Sequence, residues 1–528
     1  MLAKLRRNRL RRMMRGYRRL KSEGRLELVS VIKQELTVTP AFRFVTTDKF
    51  FSSLDVQHHE LSIRQFLISR RVSLSLGEAV LESFGEQKPL KFGIPQSWRN
   101  VVRSHGVSVD EGASTVRWVA FIILQFSISV LRIIKAIASS LSEVWKPRLE
   151  EIRYAYFDTL SERNLTTSQS QREVGGILNW YSSWVDRDKG VELLKHSVRA
   201  VDRQETRAGL PVRYLPSAIQ PLSTWKATAL FIRWAVLAIM TAFWSWFSGK
   251  WWYSIMLGEA AKAAQVYFQD PKYLGREYFF HNSNWIYRPL WTYPAEKKGA
   301  RIIFYFYSTN FEHLKLINSE YPVEYGWKSA TWSHYLVWDR YQADFIARLG
   351  AQPVIQQVGP IAFENETDFD INFQKKSLAV FDVQPVRDSI YQRLAMAYEY
   401  YVPRTACKFL TDIVDVAKEV RAPVILKRKR PAPGIVHRQY LAALRKLVSE
   451  TSLQEINPTV SPRSLIHKCS AVISMPYTST ALIARDLGKP TVYYDPYGQC
   501  DKNDRAAHGI TVISEKSELR EWLINAVR

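Results

Sequence analysis

The sequence predicts an α/β protein with two Rossmann-like domains facing each other across a cleft, and three observations predict it. From residue 277 onward, short β-branched and aromatic runs alternate with longer amphipathic stretches, the rhythm of a parallel, doubly wound sheet. The alternation is interrupted by the polar, aperiodic segment 363–377, which reads as an interdomain linker. A chain of 528 residues is also too long for one hydrophobic core, so two or three domains are expected.

Composition narrows the class. Hydrophobic residues make up 46% of the chain, enough to build large cores, and Trp and Tyr are abundant. Cys407, Cys469 and Cys500 are too few for a disulfide or metal framework, which points to a reducing compartment. The net charge of +24 suggests a polyanionic partner: nucleic acid, anionic lipid or a phosphorylated substrate. Asn164-Leu165-Thr166 and Asn365-Glu366-Thr367 have the form of glycosylation sequons, but without a secretory signal they carry no weight.

Residues 1–25 read as a basic, weakly amphipathic helix in which Leu5, Leu10, Met13, Tyr17 and Leu20 interleave with Arg and Lys. A solvated tail would have the same composition. The functional alternative is a helix on an anionic membrane surface, where each cation contributes about 1 kcal/mol. RNA would satisfy the charge, but nothing else in the sequence supports it. Residues 26–115 are expected to mix helix and strand, with strands at 89–95 and 107–110 around a helix at 98–104.

Two apolar stretches follow. Trp118–Leu131 is shorter than the roughly 20 residues a spanning helix needs. Ala227–Gly249 is long enough, but it carries Arg233 and ends among Trp244, Trp246, Trp251 and Trp252, a composition typical of a bilayer interface. Buried core helices would explain both, whereas two spans would put α/β segments of one domain on opposite sides of a membrane. The favoured expectation is monotopic insertion, with Arg132, Lys135, Arg233 and Lys250 at headgroup level.

Between and after these stretches the expected strands are 154–158, 277–280, 301–307, 333–338 and 354–359, with helices at 176–185 and 341–349. Segment 191–201 reads as helix or strand–helix. Beyond the linker the strands are 378–383, 423–427, 455–458, 471–474, 491–494 and 511–513, with helices at 405–420, 438–449, 462–468, 479–487 and 517–527.

The most informative stretch is Ala471–Pro496. A buried strand ends in the turn Pro476-Tyr477-Thr478-Ser479-Thr480, a helix follows, and Gly488-Lys489-Pro490 stops it. Helix capping by Thr478 or Ser479 would account for such a turn. A hydroxyl-rich helix start at the carboxyl end of a strand is also an anion site, most often for phosphate. Pro476-Tyr477-Thr478-Ser479, the helix Ala481-Leu482-Ile483-Ala484 and Gly488-Lys489-Pro490 resemble the signature of the bacterial polysaccharide biosynthesis PFTS-motif family, with Tyr477 where the motif has Phe. The resemblance extends over residues 150–528 and is sharpest in 277–360 and 423–496.

This resemblance implies a glycosyltransferase of the B type (GT-B). It divides the chain into a basic segment 1–25, an acceptor-side α/β domain 26–362 with apolar helical insertions near 116–142 and 226–256, the linker 363–377, and a nucleotide-sugar-binding domain 378–528. Its donor-phosphate groups would be Lys427, Lys429 and Arg430, from the run Lys427-Arg428-Lys429-Arg430-Pro431, together with Tyr477, Thr478, Ser479 and Thr480. Alternation puts Lys427 and Lys429 on one face and Arg428 and Arg430 on the other. Arg288, within Tyr287-Arg288-Pro289-Leu290-Trp291, would contact donor or acceptor.

The base for the acceptor hydroxyl should sit at a strand end of the first domain, with His281 first and Asp339 second among candidates that include Asp158 and Glu312. Asp339 would equally cap the helix that follows it. No metal and no cofactor are expected. Asp186-Arg187-Asp188 follows a helix pattern, Asp368-Phe369-Asp370 lies in the linker, and Asp412-Ile413-Val414-Asp415 has the wrong spacing. Gln384-Pro385-Val386 stands where a dinucleotide-binding protein would carry a glycine-rich loop, which argues against a dehydrogenase.

The expected reaction is metal-independent sugar transfer from a nucleotide-sugar donor to a polysaccharide or lipid-linked precursor, at the cytoplasmic side of the inner membrane and without nucleic acid. A sugar-nucleotide epimerase of the same shape and a non-catalytic polysaccharide-assembly scaffold are the alternatives.

Overall fold

The structure, a computed structural model, describes residues 2–42, 56–73, 75–145, 153–160, 177–184, 190–199, 205–207, 210–282, 287–308, 316–317, 325–350, 352–361, 376–394, 400–428, 434–458 and 460–527. Most of the linker, Glu312, Asp186, Asp188, Asp368, Asp370, Lys429 and Arg430 lie outside the described residues.

The first sheet is built from β1 (Tyr154–Phe157), β2 (Leu193–His196), β3 (Glu205–Arg207), β4 (Leu210–Tyr214), β5 (Glu277–His281), β6 (Arg301–Tyr305), β7 (His334–Val337) and β8 (Val354–Gln357). Its order is β3-β4-β2-β1-β5-β6-β7-β8. All neighbours are parallel except β3, which pairs antiparallel with β4. Tyr154, Tyr156, Tyr278, Phe280, Ile302 and Phe304 enter one apolar layer, and Ala155, Phe157, Phe279, Ile303 and Tyr305 the other. That period of two buries both faces, and it explains why these strands read as unbroken apolar runs.

The second sheet comprises β9 (Leu378–Phe381), β10 (Val424–Lys427), β11 (Leu453–Ile456), β12 (Ala471–Ser474), β13 (Thr491–Tyr494) and β14 (Val512–Ile513), all parallel. Its order is β11-β10-β9-β12-β13-β14. The earliest strand is central and the winding reverses between β9 and β12. In an open α/β sheet that reversal opens a crevice at the carboxyl ends, where ligands bind. The first sheet has the same kind of reversal between β1 and β5. The expected fold class, two doubly wound α/β domains, is the one observed.

Two expectations for the N-terminal third need correction. Where residues 26–104 are described they are mainly helical, not mixed, with helices Leu28–Val38, Val56–Leu67, Ser75–Glu86 and Gln96–Ser104. The apolar run between Pro89 and Pro95 makes only a single parallel bridge, Leu90 to Val109, because its neighbours bury it in a helical core and offer no strand to pair with. The helix Leu2–Ser22 is not a detached basic arm. Met13, Tyr17 and Leu20 are buried, while Arg9 and Arg12 pair with Glu78, Glu82 and Glu86 of the helix Ser75–Glu86.

The first apolar stretch also proves longer than its composition suggested. It is the middle of a 34-residue helix, Glu111–Val144, whose start is capped where the Ala113 N–H donates to Asp110 Oδ1 at 2.9 Å. The second forms the helix Trp225–Trp244, and a separate helix, Trp252–Phe268, returns toward β5.

The two sheets are joined by packing and by polar contacts. Ala481 and Leu482, on the helix Ser479–Asp486 after β12, share an apolar cluster with Trp327, Trp338 and Phe345 of the first domain. Asp339 Oδ2 accepts from His508 Nδ1 at 2.7 Å and from Arg485 Nη2 at 3.0 Å. The helical cap is tied to the second domain as well. Tyr17 Oη donates to Asp388 Oδ2 at 2.5 Å, and Arg393 pairs with Glu78 at 2.6 Å.

Candidate functional site

The turn at 476–480 lies where the second sheet reverses. The Met475 N–H donates to the Phe381 carbonyl at 2.9 Å and the Val383 N–H approaches Met475 Sδ at 3.1 Å, so the turn and the loop after β9 meet directly. Tyr477 takes a left-handed backbone, φ +62°, which is unusual for an aromatic residue and places a constrained position at this crevice. Its neighbours hold the turn in shape. Tyr401 Oη donates to the Pro476 carbonyl at 2.8 Å, Tyr493 Oη to the Thr478 carbonyl at 3.0 Å, and Tyr477 Oη to the Asp501 carbonyl at 3.0 Å.

The hydroxyls of the turn form a cluster. Thr480 Oγ1 lies 3.1 Å from Ser474 Oγ and 3.2 Å from Thr478 Oγ1, and the Thr478 hydroxyl also donates to the Met475 carbonyl at 3.1 Å. Thr478 occupies the N-cap position of the helix, but its side chain caps none of the helix N–H groups. The helix start therefore keeps its dipole and N–H groups directed at the crevice.

Lys427 ends β10, two strands from β12, which puts its backbone about 10 Å from the turn across β9. Its buried Nζ donates to the Pro458 carbonyl at 3.3 Å. Arg428 points the other way and pairs with Glu455, in keeping with alternation along the strand. Arg288 is 3% exposed, and its guanidinium is committed to its own domain, donating to Thr292 Oγ1 at 2.9 Å, Glu296 Oε2 at 2.7 Å and the Thr331 carbonyl at 3.3 Å. It builds the loop after β5 and has no donor directed at a ligand.

At the reversal of the first sheet, His281 ends β5 beside Thr159, which follows β1. Its Nε2 lies 3.3 Å from the Thr159 carbonyl, an acceptor that favours the proton on Nε2. Burial pushes the imidazole pKa below its usual value, with the bond to Thr159 acting against the shift, so the ring is neutral at physiological pH. Asp339 is placed differently. Its Oδ1 caps the helix Arg340–Ala347 and its Oδ2 is engaged by His508 and Arg485. Burial works to raise its pKa, but the bond and charge of His508, with Arg485, outweigh it and hold the carboxylate below its ordinary range. An anion so occupied is a domain contact rather than a base.

The sequence reading passed over two residues at the same crevice. Asp382 follows β9, is 4% exposed, and accepts from Tyr440 Oη on Oδ2, while its Oδ1 has no hydrogen-bond partner. Two residues on, the buried Nε2 of Gln384 is likewise unpartnered. Buried polar atoms are nearly always satisfied, so an unpaired acceptor and donor on one ligand-binding loop call for an explanation. The available signal was a carboxylate and an amide directly after a central strand, in the Gln384-Pro385-Val386 segment that replaces a glycine-rich loop. His196, ending β2 beside β1, also has an unpartnered buried Nδ1, and burial pushes its pKa down to about 4.

Among the described residues no His, Cys, Asp or Glu cluster has the makings of a metal site. A groove of about 700 Å³, lined by Arg421, Thr451 and Gln454, opens at the amino ends of β10 and β11, away from the carboxyl-end crevice.

Among solved structures, the chain is similar to a UDP-glucosyltransferase from Polygonum tinctorium, at 8% identity and TM-score 0.34 over 72% of this chain and 91% of that one. It is similar to the UDP-GlcNAc 2-epimerase of Methanocaldococcus jannaschii, at 11% identity and TM-score 0.36 over 71% and 92%. It is also similar to the wall teichoic acid polymerase TagF, at 11% identity and TM-score 0.37 over 77% and 91%. No curated protein matches the sequence. The family described as polysaccharide biosynthesis PFTS motif protein matches residues 234–523, more than half of the chain and all of the second sheet, and the chain belongs to that family.

Proposed function

We propose that the protein is a glycosyltransferase that moves a sugar from a nucleotide-sugar donor to a polysaccharide or lipid-linked precursor at the cytoplasmic face of the inner membrane. Membership of a polysaccharide biosynthesis family supports a role in polysaccharide assembly. The observation that carries the donor reading is that the Thr478–Thr480 turn and the unpartnered pair Asp382 and Gln384 follow the carboxyl ends of the adjacent strands β12 and β9 at the reversal of the sheet, with Lys427 ending the next strand, β10.

As the bond from sugar to donor phosphate breaks, negative charge grows on the leaving phosphate. Fixed donors aimed at that charge lower the barrier. The helix start at Ser479 supplies N–H groups and the positive end of a dipole, the hydroxyls of Ser479 and Thr480 supply further donors, Thr478 holds the turn through its bond to the Met475 carbonyl, and Lys427 supplies a full positive charge. Lys429 and Arg430, next in the chain, would add to it. Asp382 accepts from a donor hydroxyl and Gln384 donates to a carbonyl or hydroxyl, which orients the uncharged part of the donor. From the first domain, neutral His281 takes the proton of the acceptor hydroxyl on Nδ1 as that oxygen attacks the anomeric carbon.

A panel of labelled nucleotide sugars, offered to the full chain with lipid-linked saccharide acceptors, tests the reading. We expect label transfer with release of the nucleotide. Ser479→Ala and Lys427→Ala should each weaken donor binding at least tenfold, about 1.4 kcal/mol. Donor binding unchanged in both variants would overturn the site assignment. Conversion of the free donor to an epimer without transfer would instead identify the epimerase alternative.

A further inference from the structure

We infer that the outer face of the helices Glu111–Val144 and Trp225–Trp244 is a membrane-binding surface that lies flat in the interfacial layer of an anionic bilayer, with neither helix crossing it. This inference stands apart from the transfer reaction.

The two helices pack together and onto Trp252–Phe268 through Ile133, Ala235, Ala238, Leu257 and Ala261. Their outward sides have no such cover. Val116, Leu131 and Ile134 on one helix, and Val236, Leu237 and Met240 on the other, are 52–68% exposed. Adjacent apolar stripes of this extent mark an interaction surface on a folded protein. Aromatic residues stand at both ends of the shorter helix. Trp145 meets Trp225 edge-on at 5.4 Å at its start, and Trp244 packs against Phe247 at 5.6 Å at its end. Such side chains favour the headgroup boundary.

Length and composition alone would allow both helices to cross a membrane, but three observations favour an in-plane arrangement. Arg233, near the middle of the second helix, is exposed, as are Arg132 and Lys135 just past the apolar stretch of the first. A spanning second helix would carry Arg233 toward the centre of the hydrocarbon, whereas a flat arrangement leaves all three cations at headgroup level. The first helix, 34 residues, is about 51 Å long, well beyond the ~30 Å hydrocarbon layer.

The third observation is topological. The helical cap precedes the first helix and the first sheet begins beyond its far end, yet the second domain touches both. It meets the cap through Tyr17–Asp388 and Glu78–Arg393, and the first-sheet domain through Asp339–His508. Both ends of the helix therefore lie on the same side of any bilayer. Lipid is favoured over a second protein copy because the surface joins apolar stripes, interfacial aromatics and mid-helix cations on a chain of net charge +24.

Flotation of the full chain with phosphatidylcholine vesicles, with and without phosphatidylglycerol, tests this. We expect binding that needs the anionic lipid, at least a tenfold loss in Leu131→Glu/Leu237→Glu, and a smaller loss in Arg132→Gln/Arg233→Gln. Far-UV circular dichroism should be unchanged in both variants, and the charge variant keeps the test open if the apolar one misfolds. Wild-type binding retained by both variants would overturn the proposal, as would a wild-type dimer that ignores vesicles and is split by Leu131→Glu/Leu237→Glu. Orientation is read in inside-out membrane vesicles with Glu111→Cys and Trp145→Cys, each in a Cys407→Ser background, using a membrane-impermeant maleimide. Both positions should label, and labelling of only one would show a span.

Discussion

Asp382 ends the central strand of the second sheet with one oxygen bonded by Tyr440 and the other by nothing. Burial raises its pKa from 3.8 to about 6, against the lowering effects of the Tyr440 bond and the Arg428 charge. With the folded pKa above the unfolded one, its favourable contribution is present below pH 3.8 and lost as pH rises through 6, where the folded protein must hold a buried anion. Asp382→Asn keeps the shape and the acceptor for Tyr440 while removing that anion. We expect it to stabilise the unliganded protein at pH 8 by on the order of 2–3 kcal/mol, with the gain fading as pH falls toward 4. Urea denaturation at several pH values measures it. The same variant should bind the donor more weakly, since a group kept against the interest of the fold is the mark of a functional position.

At the scale of elements, the helix Leu2–Ser22 crosses Ser75–Glu86 at a pair of glycines. A Cβ on Gly16 would sit 1.8 Å from the Leu81 carbonyl oxygen, and one on Gly85 2.0 Å from that of Arg12. Gly16→Val must drive the helices apart and strand the Arg9 and Arg12 pairs, so we expect a loss of about 3 kcal/mol and a lower Tm by calorimetry. This crossing was not legible in the sequence: Met13, Tyr17 and Leu20 could be read as one face of a helix, but nothing named the helix Ser75–Glu86 as the partner that covers it. The strands β9, β10, β12 and β13 were legible because each is a short, mostly apolar run, buried on both faces and bounded by Gly, Pro or polar residues, whereas β11, with Gln454 and Glu455 exposed, was expected two residues later, at 455–458. The strands β3 and β4 were not, because Glu205–Arg207 and Leu210–Tyr214 lie at the sheet edge and carry charge. The turn at 476–480 could be read from its hydroxyls, whereas the unpaired oxygen of Asp382 depends on Tyr440, 58 positions away, bonding the other one.

Across the whole molecule, Asp339 joins the domains on the helix that begins at the candidate donor turn, through Arg485 and His508. Asp339→Asn preserves the helix cap but removes the charge shared with those partners. We expect a larger radius of gyration by small-angle scattering and a fall in transfer of no more than about tenfold, whereas loss of a catalytic base would cost 10²–10⁴-fold. The cap adds a second tie, and it has a consequence for assembly. Tyr17 bonds a residue 371 positions later in the chain. At about 5–20 residues per second of synthesis, the cap leaves the ribosome tens of seconds before Asp388 exists to receive it. The tie between the cap and the second domain therefore closes late, long after Arg9 and Arg12 have met Glu78, Glu82 and Glu86 on the neighbouring helix, and until then the rest of the cap's basic surface is open to whatever anionic surface lies nearby.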